Sequence, residues 1–186
     1  MTQASIISPK RYHPALVALH WTIALLIFAN VLLAGADDLD LAGIPAISIH
    51  MIFGILILVL LIIRLVLRFV TQHPAWASTG NALLNKIGEL THWGLYLLTF
   101  GMTITGILLA SQSNRLARLF GLPDSPAPRF TPGQFRGGGF RLGGLHGMIW
   151  ILLGLLVLLH IGAALYHQFF LKDNLLKRMW FGKRYE

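Results

Sequence analysis

The sequence predicts an all-α membrane protein, a four-transmembrane-helix up-down bundle, and three observations predict it. Of 186 residues, 55% are hydrophobic and only 12% charged, about half the charged fraction of a soluble domain. The apolar positions gather into four runs, Ala15 to Gly35, Ile47 to Leu67, Leu90 to Ala110 and Leu145 to Tyr166, each long enough to cross a bilayer as a helix. Before their final turns, these runs hold no ionisable side chain except histidines and Arg64, so the backbone must satisfy its own polar groups as helix. One transmembrane domain over residues 1–186 follows, with spans near 15–35, 47–67, 90–110 and 145–166 and a lipid bilayer as its solvent.

Each span carries its own marks. Lys10 and Arg11 precede the first, and Ala34-Gly35-Ala36 imitates a signal-peptide cleavage site. Its apolar run is longer than a leader's and includes His20 and Trp21, so it reads as a retained helix. The second opens on Ile49-His50 after the acidic Asp37, Asp38 and Asp40, and closes on Arg64 and Arg68, four apart and so on one helical face. The third follows the TQHPAWASTGN loop and carries His92 and Tyr96. The fourth contains His146 and His160, and the basic KDNLLKRMWFGKR run after it, with Trp180 and Phe181, reads as an interfacial anchor.

Charge orients the bundle. Lys10, Arg11, Arg64, Arg68, Lys86, Lys172, Lys177, Arg178, Lys183 and Arg184 fall on one face, and Arg115, Arg118, Arg129, Arg136 and Arg141 on the other. Ten cations against five place both termini in the cytoplasm of a bacterial inner membrane. The net charge of +8 therefore reads as membrane topology, and no nucleic-acid partner is expected. All five minority arginines lie in the external loop from Ser111 to Gly144, where they would form a positive funnel for a small anion such as superoxide or ascorbate or a contact for lipid phosphates.

Polar groups at membrane depth are expensive and mark function, so the eight histidines carry the chemistry. His13 and His73 sit outside the spans, in solvated positions. His50 and His146 begin the second and fourth spans at the same outer depth. On the inner side, His20 and His160 each lie about 8 Å from a helix end, with His92 and His167 as competitors nearer the interface. His146 and His160 are 14 residues apart, close to four full turns, so they share one stripe about 21 Å apart along the axis. That separation is too long for one metal and suits two cofactors stacked across the membrane.

The absence of cysteine removes disulfides, thiolate metal sites, iron–sulfur clusters and covalent c-type haem. Paired imidazoles without carboxylates best match non-covalent, bis-histidine haem b. A tetrahedral zinc site wants more ligands at one level than the outer pair offers. Gly54, Gly147, Gly154 and Gly162 beside these histidines would leave room for a porphyrin, or would serve as helix-packing surface.

With Leu19-His20-Trp21, Ile49-His50 and Gly54, Arg64 and Arg68, His92 and Tyr96, Phe120-Gly121, His146, His160, Lys172-Asp173-Asn174 and Lys177-Arg178-Met179, the chain resembles the bacterial cytochrome b561 family over about 160 residues. The resemblance implies four helices, two haem b groups with His20, His50, His146 and His160 as axial ligands to haem iron, and electron transfer to or from a quinone. Ubiquinone is the expected electron partner. For some members it implies superoxide oxidation at the external face, an oxidoreductase of the superoxide:ubiquinone type. Arg64, Arg68 and His92 become candidate propionate or quinone contacts, with lipid-headgroup contact as the plainer use of an arginine there. The chain departs from the family in carrying Gln168 beside His167 and Gly147-Met148 after His146, so no proton-handling role carries over to those positions.

Two other functions share these residues. One is a haem b subunit linking a periplasmic dehydrogenase or hydrogenase to the quinone pool. The other is a haem-free transporter whose buried histidines carry metal ions or protons, against which stands the lack of an intramembrane Asp or Glu.

Overall fold

The computed structural model of the protein describes residues 9–36, 39–41, 43–112, 115–123 and 142–185. In chain order these form α1 (Pro14–Ala34), a two-residue hairpin of β1 (Asp40–Leu41) and β2 (Ile44–Pro45), α2 (Ala46–Val70), α3 (Ala82–Gln112), the short α4 (Arg115–Leu119), α5 (Leu142–Tyr166), a π-helical turn (His167–Leu171) and α6 (Leu175–Arg178). The hairpin is antiparallel, with Asp40 opposite Pro45. Four helices are long and apolar enough to span a membrane, with mean hydropathy from 1.6 in α3 to 2.9 in α2. Their outward side chains confirm the solvent they are built for, since Leu32, Leu97 and Leu158 are 68–76% exposed.

Side-chain contacts fix the up-down order. His20 near the start of α1 meets His160 near the end of α5, and His160 meets His92 near the start of α3. At the other face, Asn30 near the end of α1 contacts His50 near the start of α2, and Thr105 near the end of α3 contacts His146 near the start of α5. Consecutive spans therefore run antiparallel. Backbones pack closely between α1 and α2, α2 and α3, and α3 and α5, while α1 and α5 are not brought into comparable close packing.

The packed interfaces differ in kind. Between α1 and α2, Ile23, Ile57 and Leu61 form an apolar cluster joined by Leu26, Ile27, Leu60 and Tyr96. Between α3 and α5, small residues let the backbones approach, as is usual where lipid removes the hydrophobic drive. A Cβ on Gly94 would stand 2.8 Å from Leu156 Cδ2, and one on Gly106 would stand 3.2 Å from His146 Cε1. Buried Thr91 and Thr105 donate their hydroxyls to carbonyls one turn back, Ile87 O at 2.8 Å and Gly101 O at 2.8 Å, which keeps each hydroxyl satisfied within its own helix.

The third helix starts at Ala82, well before the expected Leu90. Asn81 explains it, since its Oδ1 accepts from Leu83 N at 2.9 Å and Leu84 N at 3.3 Å, satisfying first-turn donors as an N-cap does. An exposed Lys86–Glu89 pair at 3.2 Å follows, and these polar turns lower the hydropathy without breaking the helix. At the far end of the fourth span, the π-helical turn closes where Lys172 (φ 54°) and Asn174 (φ 56°) take left-handed backbone. There the Asp173 carboxylate meets His167 Nδ1 at 2.6 Å and accepts from Leu175 N at 3.1 Å.

Replacing Asn81 with Ala removes the cap and should destabilise the first turn of α3 by about 1 kcal/mol. Amide exchange should accelerate over residues 82–89 and stay unchanged over residues 95–110. Unchanged exchange in both windows would show that something other than the cap starts this helix.

Candidate functional site

The histidines sort into two levels. At the level of the chain termini, the His20 and His160 rings have centroids 6.1 Å apart, and His92 lies 5.1 Å from His160 on its other side. Trp76, from the α2–α3 connection, stands 5.4 Å beyond His92, and Trp21 stands 5.3 Å from His20. The result is a row of rings crossing this end of the bundle, with His160 at its centre. His20, His92 and His160 are each partly buried. Among the described residues no three His, Cys, Asp or Glu side chains converge as a metal site, so the three imidazoles are neighbours without being a tripod.

Arg64 and Arg68 share a face of α2 but do different things. Arg64 turns inward, donating from Nε to the Tyr96 hydroxyl at 3.0 Å and from a terminal nitrogen to Leu16 O at 3.4 Å. The Arg68 guanidinium lies 5.2 Å from the ring of Trp76, which itself packs against His92, and 5.8 Å from the Trp93 ring, a cation–π clamp. His167 stays out of this cluster, with its ring on Asp173. His13 caps α1 by accepting from Ala15 N at 3.2 Å, and His73 is exposed.

At the opposite level stand His50, near the start of α2, and His146, near the start of α5. Each is held through Nδ1. His50 Nδ1 lies 3.1 Å from the Asn30 carbonyl oxygen, which can only accept, so Nδ1 carries the proton and Nε2 the free lone pair. His146 Nδ1 lies 2.9 Å from Thr105 Oγ1. The same hydroxyl lies 2.8 and 3.0 Å from the carbonyls of Gly101 and Met102; with its proton on either carbonyl it accepts from His146 Nδ1 and leaves Nε2 free. Fixing one ring nitrogen to present the other is how proteins prepare imidazole as a metal ligand.

The glycines divide by role. Gly54, Gly147, Gly154 and Gly162 would each accept a Cβ without meeting any atom within 4 Å, whereas Gly94, Gly101 and Gly106 of α3 press against α5 side chains. Helix packing is thus the work of the α3 glycines, which composition alone did not single out. Thr105 and Gly106 also escaped notice. Depth matching would have found them, because Thr105 stands opposite His146 as His20 stands opposite His160. In the 111–144 loop, Arg115 and Arg118 lie on α4. Arg129, Arg136, Arg141, Asp124 and the run Gly137 to Gly139 lie outside the described residues, as do Asp37 and Asp38.

Sequence comparison places this four-helix bundle among known proteins. The family described as prokaryotic cytochrome b561 matches residues 11–182. The chain is 28% identical over 178 residues to cytochrome b561 homolog 2 of Escherichia coli, covering 92% of each chain. It is 28% identical over 184 residues to the Yersinia pestis protein named probable superoxide oxidase CybB, covering 94% of this chain and 98% of that one. A cytochrome b562 of Cereibacter sphaeroides is 28% identical over 172 residues, or 88% of this chain and 90% of the relative. The chain therefore belongs to the prokaryotic cytochrome b561 family of multi-pass membrane proteins that transfer electrons with haem b.

Proposed function

We propose that this protein carries electrons across a bacterial inner membrane with two haem b groups, His20 and His160 holding one and His50 and His146 the other, and exchanges them with a membrane quinone. The observation that carries the reading is the 6.1 Å spacing of the His20 and His160 rings across the α1–α5 line. Two metal–imidazole bonds of about 2 Å, counted from the ring nitrogens, call for ring centres about 6 Å apart. The 5.1 Å between His92 and His160 fits that requirement less well and favours His92 as a neighbour. At the other level, the donor chemistry fits, since His50 and His146 both offer Nε2 lone pairs. Open space at Gly54, one turn along the His50 face, leaves room beside them.

Haem b, when bound, supplies a one-electron iron centre whose potential answers to its axial ligands and its surroundings. The chain's own residues do the rest. Asn30 and Thr105 hold the outer imidazoles in register and make them better donors. Arg64, braced by Tyr96, keeps a fixed positive charge beside the inner imidazoles and could pair with a propionate carboxylate. His92, between Trp76 and His160, stands where a quinone carbonyl or a propionate could take a hydrogen bond. The positive-inside count supports termini on the cytoplasmic side, with this level of the bundle nearer the cytoplasmic face.

Superoxide is the proposed electron donor at the outer face, supported by the name of the Yersinia pestis relative and by the arginines of the 111–144 loop. Two superoxide ions each yield one electron and leave as dioxygen. With two protons, those electrons convert one quinone to quinol.

Single substitutions separate the levels. His146→Ala should lower haem content from two per chain to one, and His160→Ala should remove the other haem, while His92→Ala should retain both. Loss of a haem in His92→Ala together with two haems in His160→Ala would overturn the inner assignment, and loss of both haems in His146→Ala would overturn the two-site separation. Thr105→Val keeps the shape but removes the acceptor for His146. It should weaken outer haem binding by about 10–100-fold in a haem titration and spare the inner site, with Thr105→Ser restoring the affinity. Equal affinity in Thr105→Val would remove Thr105 from the account.

A further inference from the structure

Both chain termini and the α2–α3 connection are tied together at one face by the C-terminal segment. Lys10 N donates to Arg184 O at 2.8 Å and Tyr12 N to Arg178 O at 3.1 Å. The Arg11 guanidinium donates to Phe181 O at 3.0 Å, and Trp21 Nε1 donates to Met179 O at 2.9 Å. Arg178 and Arg184 reach across to Ala75 O and Gln72 O, at 2.9 and 2.7 Å. The docking is close, since a Cβ on Gly182 would stand 2.8 Å from the Arg11 guanidinium.

The clasp borders a half-open pocket of about 500 Å³ lined by Lys10, Arg11, Asn174, Lys177, Arg178 and Lys183, with Asp173 as its one carboxylate among the described residues. Asp173 is already engaged by His167, and the backbone carbonyls that receive Arg11 and Arg178 orient those side chains without neutralising them. Lys10, Arg11, Lys177 and Arg178, drawn together by the fold, therefore gather around one carboxylate among the described residues, and an anion of matching size would relieve their mutual repulsion.

A second cavity, of about 350 Å³, adjoins it through the shared Lys177 and is lined by Gln168, Phe169, Leu176 and Trp180. Its wall is mainly apolar. Phe169 and Trp180 are exposed, at 65% and 60%, and the buried Gln168 Oε1 has no hydrogen-bond partner. A cationic chamber opening onto an apolar groove at a membrane surface matches an amphiphile with an anionic head.

We infer that this pair of cavities is a binding site for an anionic phospholipid, its phosphate held by Lys10, Arg11, Lys177, Arg178 and Lys183 and its acyl chain laid along Phe169, Leu176 and Trp180. The lipid would staple the C-terminal segment to the N-terminal one, beside Trp21 and hence one ring from His20. The assignment is independent of which histidines bind haem.

The test uses the full-length protein, delipidated in a non-ionic detergent and titrated with phosphatidylglycerol, phosphatidylcholine or inorganic phosphate. Retained lipid is read by native mass spectrometry, and amide exchange is followed over residues 175–185. Phosphatidylglycerol should be retained and should slow exchange in that window. In Lys10→Gln/Lys177→Gln/Lys183→Gln its affinity should fall about fivefold per charge removed, with Lys86→Gln unchanged. Phe169→Ser should weaken phosphatidylglycerol and leave the exchange response to inorganic phosphate as it was, with circular dichroism confirming that each variant is folded. Equal retention of phosphatidylcholine would overturn the anionic recognition. Equal protection by inorganic phosphate, insensitive to Phe169→Ser, would make this a free-phosphate site and overturn the lipid assignment.

Discussion

An imidazole at membrane depth has no water to satisfy its ring N–H, so each buried histidine must find an acceptor on a neighbouring helix or bond through its other nitrogen. The outer level answers this with fixed oxygens, the Asn30 carbonyl for His50 and the Thr105 hydroxyl for His146. That requirement couples α1 to α2 and α3 to α5 at one depth and sets the tautomer of His50. It also explains why α3 carries Gly106 next to Thr105, because a Cβ there would crowd the ring that Thr105 holds. The inner level is organised differently, by a row of rings from Trp76 to Trp21 and by a single arginine, Arg64, turned into the bundle and tied to Tyr96.

Much of this was legible in the residue order, for identifiable reasons. Apolar length gives the spans, because backbone hydrogen bonding in lipid permits little else. Matching histidines by depth works because antiparallel helices put equal distances from opposite ends at equal heights, and His20 and His160 do meet. The same rule cannot separate His92 from His160, since both rings fall within one turn of that height and only packing decides their spacing. The early start of α3 was hidden by Lys86 and Glu89, which depress hydropathy, although Ser78 to Asn81 announces a cap. Thr105 and Gly106 were invisible to composition because their role exists only across the α3–α5 contact. The π-helical turn after Tyr166 depends on Lys172 and Asn174 entering left-handed backbone, a conformation that leaves only a weak mark in sequence.

The basic C-terminal run reads in sequence as an interfacial anchor, and the fold gives it a more definite task. Its carbonyls accept from Arg11 and Trp21, its arginines donate to carbonyls of the α2–α3 connection, and its lysines and arginines gather around one pocket. Trp21 links this clasp to the inner histidines, so the region that closes the bundle at the termini also borders the site.

The central claim is that each of two levels presents two imidazoles to one iron. The electron paramagnetic resonance spectrum of the oxidised, fully loaded protein tests it most directly, because two nitrogen donors from histidine make ferric haem low-spin whereas a missing axial ligand makes it high-spin. The account predicts two low-spin signals of equal weight, one lost in His146→Ala and the other in His160→Ala. A single low-spin signal, or a high-spin signal of comparable weight, would contradict it.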